Sequence, residues 1–432
     1  MYDPPNGLLA STHMSADVLI VGAGLAGLTC ARRLHREGVS VKVFDAADAV
    51  GGRVRTDVVD GFKLDRGFQV LLTAYPEAQR VLDYDALDLK RFYDGAVVRT
   101  NKGFERIADP FRQPSAAFST LFSSVGSMGD KLKVAKLRKS VQTGSLSSVF
   151  ARAELTTEQA LRERHGFSEQ MIDTFFRPFL GGIMLDHDLQ ASSRMFEFVF
   201  RMFSKGQAAV PTEGMQQLAE QLAAEIPEQA IVLNAEVKAI DGTTITLQNG
   251  QTHTGQAVVI ATEAPEAAGF VPAIDHTASR STLNLYFAAD TAPFDEPVLV
   301  LNGTGEGIIN NLTVMTNVAP SYSSNGKALI SVTVLGNPLQ TDDFVEQAVR
   351  QELQAWYPDA GVGAWQHLRS YRILYALPEQ APPFLSPSLR PVKLSGTLFV
   401  CGDHRQTASI NGAMGSGRRA AEAVLETLAV DA

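Results

Sequence analysis

The stretch VLIVGAGLAGLTCARRL, Val18 to Leu34, constrains this chain more than any other. Asp17 to Val21 reads as a short buried strand of the parallel kind. Gly22, Gly24 and Gly27 then form G-x-G-x-x-G. Gly22 permits a tight turn, Gly24 leaves the backbone open to a pyrophosphate, and Gly27 lets a helix pack closely on the strand. Leu25 and Ala26 open that helix, whose N-terminal N–H groups and positive dipole end would meet phosphate. The helix should run to about Glu37, with Gly38 as its C-terminal cap. A second strand, Val41 to Phe44, ends at Asp45, with Ala46 beside it. Asp45 stands 21 positions after Gly24, where an acid accepts hydrogen bonds from a ribose hydroxyl. Strand, glycines, helix, strand and acid in this order predict a dinucleotide-binding unit.

The next residues narrow the dinucleotide. In DAADAVGGRVRT, Gly51 and Gly52 allow a second loop to approach, and Arg53 offers a charge-assisted partner for phosphate. The run of strand, G-x-G-x-x-G, acid and G-G-R resembles the amine-oxidase-like flavoprotein superfamily, which includes flavin amine oxidases, protoporphyrinogen oxidases and phytoene desaturases. The resemblance implies FAD, held non-covalently because no cysteine context for a covalent flavin is present. Asp45 stands where members usually carry Glu.

The far end adds a second match. GTLFVCGDHRQTASINGAMGSGRR reads as a strand, Gly402-Asp403, a loop, and a helix beginning near Gly412. It looks like the family's closing motif. By that resemblance Asp403 would bond the ribityl or pyrophosphate side, and the helix start from Ile410 to Ala413 would face the flavin, where a positive dipole end stabilises reduced flavin. The resemblance also puts Gly67 and Phe68, in the D-R-G segment, beside the flavin, Val237 against the adenine, and Ala261 at the end of a sheet-closing strand. Gln69, Val70, Asn284, Tyr371, Tyr375 and Ser409 are the candidates to line the substrate space.

Two motifs at opposite ends must meet at one cofactor. The expected fold is therefore α/β: a discontinuous Rossmann-like FAD-binding domain (14–80, 205–275, 390–432) with an inserted α+β substrate domain. Its parts would be a mainly helical subdomain (81–204) and a sheet-containing one (276–389). Residues 1–13 show no periodicity and are set aside as a vector leader. Phe175, Phe176, Phe179, Phe196, Phe198, Phe200 and Phe203 read first as helix–helix core, and otherwise as an apolar tunnel. KLKVAKLRK, Lys131 to Lys139, reads as a solvated helix face, or as a peripheral membrane contact.

Composition excludes several classes. A net charge of -9 in 432 residues, without a basic stripe, argues against nucleic acid. Cys30 and Cys401 are too few for a disulfide framework and, without C-x-x-C, do not suggest disulfide reduction. No apolar run reaches the roughly 20 residues of a membrane span, no signal peptide is visible, and a cytoplasmic location is the default reading. No metal cluster is expected. No catalytic base stands out; His187 and His404 lie near functional segments.

The expected activity is FAD-dependent oxidation, taking a hydride equivalent from a C–H bond of a fairly apolar small molecule, with O2 or a quinone as acceptor. Amine oxidases of this family carry a lysine that has no counterpart between Lys238 and Lys327, and an aromatic wall whose place falls on Ser409. A flavin amine oxidase giving imine and peroxide, a flavin-dependent isomerase, and a non-enzymatic FAD-binding partner protein are the alternatives.

Overall fold

The computed structural model describes residues 16–108, 123–274 and 278–430; the leader reading falls on residues 1–13, outside these. The longest helices among the described residues are α1 (Leu25–Arg36), α2 (Met128–Gln142), α3 (Ser193–Lys205), α4 (Asp342–Trp356) and α5 (Ile410–Val430).

One six-stranded sheet is built from three separate parts of the chain. Val18–Val21 pairs in parallel with Val41–Phe44 on one side and Ala257–Ile260 on the other. Ile231–Val232 and Leu398–Val400 extend it outward, both in parallel, and Lys393–Ser395 closes the far edge. The central strands are apolar throughout because both faces are covered. α5 packs along α1, closely enough that a Cβ on Gly417 would strike the backbone of Ala26. The N-terminal and C-terminal motifs thus share one sheet and one helix layer, as a doubly wound fold requires.

The second sheet has seven strands, with Ser279–Ala289 and Ala328–Leu335 in its middle and Gln366–Pro378 at one edge. It is antiparallel except where Leu299–Asn302 meets Gly95–Thr100 in parallel. The segment read as mainly helical therefore opens with two strands, Gly95–Thr100 and Gly103–Ala108, that belong to this sheet. Leu283, Leu285 and Phe287 point to α4, whose Val345, Val349 and Leu353 complete that core. Tyr286 and Ala288, on alternate positions, face the main core.

The phenylalanine-rich helices form core. Phe176 and Phe196 are fully buried and Phe198 nearly so, while Phe175, Phe179, Phe200 and Phe203 pack partly buried around them. The rings meet in stacked and edge contacts, such as Phe175 on Phe179 at 5.3 Å between centroids. Cys30 and Cys401 are buried free thiols, and burial raises both well above the ordinary thiol range. No described helix is long and apolar enough to cross a membrane, and the described residues hold no cluster that could bind a metal.

Candidate active site

The N-terminal cradle is shaped by two glycines that packing demands and one that it does not. Gly22 has φ +113°, and a Cβ there would lie 2.7 Å from the Ala261 carbonyl oxygen. A Cβ on Gly27 would run into the Gly22 carbonyl and the Ala261 side chain. A Cβ on Gly24 would meet only Gly51 and Gly52 atoms, at 4.0 Å. Packing therefore leaves Gly24 free, and a close-approaching ligand is the remaining reason for its bareness. α1 begins at Leu25, with Gly24 as an N-cap that gives no side-chain bond and with no acid in the first turn. Its positive end is thus left for an anion. The cradle fits a pyrophosphate.

Asp45 sits at the end of its strand. Its carboxylate accepts from the Ala23 N–H at 2.6 Å and the Ala47 N–H at 2.8 Å, while Ala46 is exposed beside it. Gly51 donates to the Ala23 carbonyl at 2.9 Å and bridges to Gly24, so the second loop lies on the first turn.

Arg53 links the two ends of the chain. Its guanidinium donates to Asp403 at 2.8 Å and to the Ala376 carbonyl at 2.9 Å, and lies 3.4 Å from Glu263. Burial raises Glu263, with Arg53 pulling the other way. Asp403 is buried, directly after Gly402 at φ +149°. His404 packs under Gly402; both its ring nitrogens lack a partner among the described residues, and burial pulls it down to about 4, so it is neutral. His187, by contrast, is exposed, and its ring pairs with Asp188.

The D-R-G segment lies between these parts. Gly67 has φ +91°, with Ile373 over it. Gln69 donates to the carbonyls of Arg53 and Arg66 at 2.9 and 3.0 Å, so its amide braces the loop. Phe68 and Val70 are partly buried against the core, with Phe68 edge-on to Phe92. Tyr371 donates to Asp57 at 2.7 Å. The Arg66 guanidinium holds Asp57 below the usual carboxylate range, and burial, helped by Asp57, pushes the Tyr371 phenol up to about 12. Tyr375 is half exposed.

One of the substrate-lining expectations changes, and a second candidate gains a structural role. Asn284 is fully buried inside the second sheet, bonded to Ser331 and Thr333, so its amide stabilises the sheet interior and meets no open surface. Ser409 caps α5: its hydroxyl accepts from the Gly412 N–H at 3.0 Å. That cap starts α5 at Ile410, two residues before the expected position, and places Ile410 and Ala413 in its first turn. Val237 and Ala261 are buried beside the first sheet, Val237 in a separate hairpin.

Sequence reasoning missed Asp65. It is buried and accepts from Thr56 at 2.6 Å, the Met215 N–H at 2.9 Å and Tyr322 at 2.9 Å, while Tyr286 donates to its backbone carbonyl. Its partners lie up to 257 positions away, so no local signal exposes them.

The model for the family described as flavin containing amine oxidoreductase matches residues 25–425. Protoporphyrinogen oxidase 2 of Arabidopsis thaliana is 29% identical over 168 residues, 38% of this chain and 32% of that protein. Putrescine oxidase of Kocuria rosea is 26% identical over 253 residues, 54% of this chain and 50% of that one. The chain thus spans a third to a half of the length of these curated relatives. The solved structure of a putative protoporphyrinogen oxidase from Exiguobacterium sp. 255-15 shares the fold, with a TM-score of 0.70 at 17% identity over 95% of this chain and 98% of that one. The chain therefore belongs to the flavin-containing amine oxidoreductase family, and the dinucleotide its cradle is built for is FAD.

Proposed function

We infer that this protein is an FAD-dependent oxidoreductase that takes a hydride equivalent from a C–H bond of a fairly apolar small molecule. The observation that carries this reading is the meeting of Arg53, from the G-G-R loop, with Asp403, from the C-terminal motif. It brings both nucleotide-facing segments to one place beside the D-R-G loop.

In this reading α1 and Gly24 hold the pyrophosphate, Asp45 the ribose, and Arg53 and Asp403 the region between phosphate and flavin. The first turn of α5 faces the flavin ring. Bound FAD supplies the redox chemistry. The chain supplies position. Gln69 fixes the loop carbonyls of Arg53 and Arg66, Phe68 and Val70 present apolar surface, and Asp57 holds Tyr371 as a protonated phenol. That setting suits an apolar substrate oriented by few polar contacts.

Amine oxidation is the second reading. The relative named putrescine oxidase favours it. The deciding experiment is anaerobic bleaching of the visible flavin band by primary amines, polyamines, porphyrinogens and carotenoid precursors. Bleaching by the large apolar compounds alone supports the first reading; bleaching by an amine replaces it with the second. Bleaching by none of them removes both, and points to isomerisation or a binding role.

A further inference from the structure

Away from the flavin cradle, a cavity of about 490 Å³ opens between α2, the segment Arg152–Ala153 and the π-helical turn that ends at Arg164. Its polar lining is Lys133, Lys136, Ser140, Arg152, Arg164 and His165. Beneath it lies Glu197 of α3, with a fully buried carboxylate. Arg152 reaches Glu197 at 3.0 Å, Arg164 reaches it at 3.0 Å and His165 at 3.2 Å. One buried anion thus holds two guanidinium groups in place at the cavity wall, each still about a quarter exposed.

The charges around this cavity do not balance. Lys133, Lys136, Arg152 and Arg164 bring four positive charges. Glu197, and Asp130 at 3.4 Å from Lys133, bring two negative ones. The Lys136 side chain has no hydrogen-bond or ion-pair partner among the described residues. An excess of two positive charges stands in a chain whose net charge is -9, so the protein as a whole repels anions while this cavity attracts them. Ser140 accepts from Arg152 at 3.2 Å, which leaves its own hydroxyl hydrogen to donate. Preordered guanidinium groups, an exposed lysine and a hydroxyl donor suit a tetrahedral dianion.

We propose that this cavity is a binding site for a phosphate ester. A phosphate monoester carries about two negative charges, which matches the excess, and the volume has room for the group it is attached to. The ester could be a soluble molecule or a lipid headgroup. Met128, Leu132 and Lys136 follow one another at four-residue spacing on α2, and Met128 and Leu132 are 51% and 68% exposed. They form an apolar stripe that leads to the cationic mouth, where acyl chains would lie beside a headgroup.

The test uses the full chain loaded with flavin. Inorganic phosphate is titrated by calorimetry at matched ionic strength, and vesicles of phosphatidylcholine with or without phosphatidic acid are used for co-sedimentation. Lys136→Gln and Ser140→Ala are the variants, because changing Arg152 or Arg164 would strand Glu197. Saturable phosphate binding that weakens about threefold to tenfold in each variant, with an unchanged melting temperature, supports the site. Sedimentation with phosphatidic acid vesicles that Lys136→Gln and Leu132→Ser both abolish assigns it to a lipid headgroup. Phosphate binding without sedimentation assigns it to a soluble ester. Absence of both kinds of binding, or binding that neither Lys136→Gln nor Ser140→Ala changes, overturns the proposal.

Discussion

Arg53 and Asp403 stand 350 positions apart in the chain and 2.8 Å apart in the fold. Asp403 is buried while Arg53 keeps 28% of its side chain exposed, and Glu263 gives Arg53 a second, weaker partner. Asp403→Ala should therefore cost about 1–2 kcal/mol in urea unfolding of the flavin-free chain, less than for a fully buried pair. It should also lower flavin retained through gel filtration. Asp403→Asn, which keeps a hydrogen-bonding oxygen, should lose less of both. Equal flavin content in all three proteins would remove Asp403 from the cofactor site.

The glycines of the first turn separate packing from binding. Gly24 has an extended backbone, φ -75° and ψ 178°, and space for a Cβ. Gly24→Ala should fold with a near-normal melting temperature yet hold FAD roughly tenfold more weakly, as expected when a backbone approach is blocked. Gly27→Ala would push a Cβ into the Gly22 carbonyl, and should cost about 2 kcal/mol or more whether or not FAD is present. Thermal melts and flavin titration of both variants check this. A stable Gly27→Ala variant would mean that α1 does not pack tightly on the Gly22 turn.

Asp45 accepts the Ala23 N–H inside the same turn, so it braces the cradle besides the ribose contact proposed for it. Asp45→Ala should empty the protein of flavin and leave that N–H without its acceptor, at a cost of about 1 kcal/mol. Gel filtration followed by a visible spectrum reads the first effect, and urea unfolding the second. Full flavin occupancy would contradict the ribose assignment.

What was legible in the sequence was whatever a residue's own backbone or immediate spacing demands. The turn at Gly22 and the strand ending at Asp45 follow from local rules, and the structure has them. Gly95–Thr100 was harder, because its parallel partner Leu299–Asn302 comes some two hundred positions later. Asn284 was a substrate-lining candidate on the strand matched to the one that carries the family's lysine. Its actual partners, Ser331 and Thr333, lie on a neighbouring strand whose register the sequence does not reveal. Ser409 was placed at a wall position by rough alignment, and its place just before α5 also carries the ordinary signature of a cap.

Phe196 tests the energetic weight of this aromatic core. It is fully buried and edge-on to both Phe176 and Phe200. Phe196→Ala should cost about 3–5 kcal/mol, seen in the melting temperature of the flavin-loaded protein. Phe196→Leu, which keeps most of the volume, should recover much of that. Near-normal stability with a shifted substrate preference would instead make this ring part of a substrate channel.

Asp65 carries the clearest pH dependence. Burial pushes its carboxyl from 3.8 up to about 6, with Thr56, Met215 and Tyr322 opposing that rise. A raised carboxyl binds its proton more tightly in the folded state than in the unfolded one. The resulting stabilisation is complete below about pH 4 and is lost as the pH passes through about 6. Asp65→Asn removes the charge, keeps one accepting oxygen, and adds a donor that the Tyr322 hydroxyl oxygen can accept. Between about pH 4 and about pH 8, the wild type should therefore lose roughly 2–3 kcal/mol of stability relative to Asp65→Asn. Urea unfolding of both proteins at the two pH values measures this difference directly. Parallel stability curves would mean that Asp65 keeps its ordinary acidity, with the three donors offsetting its burial in full.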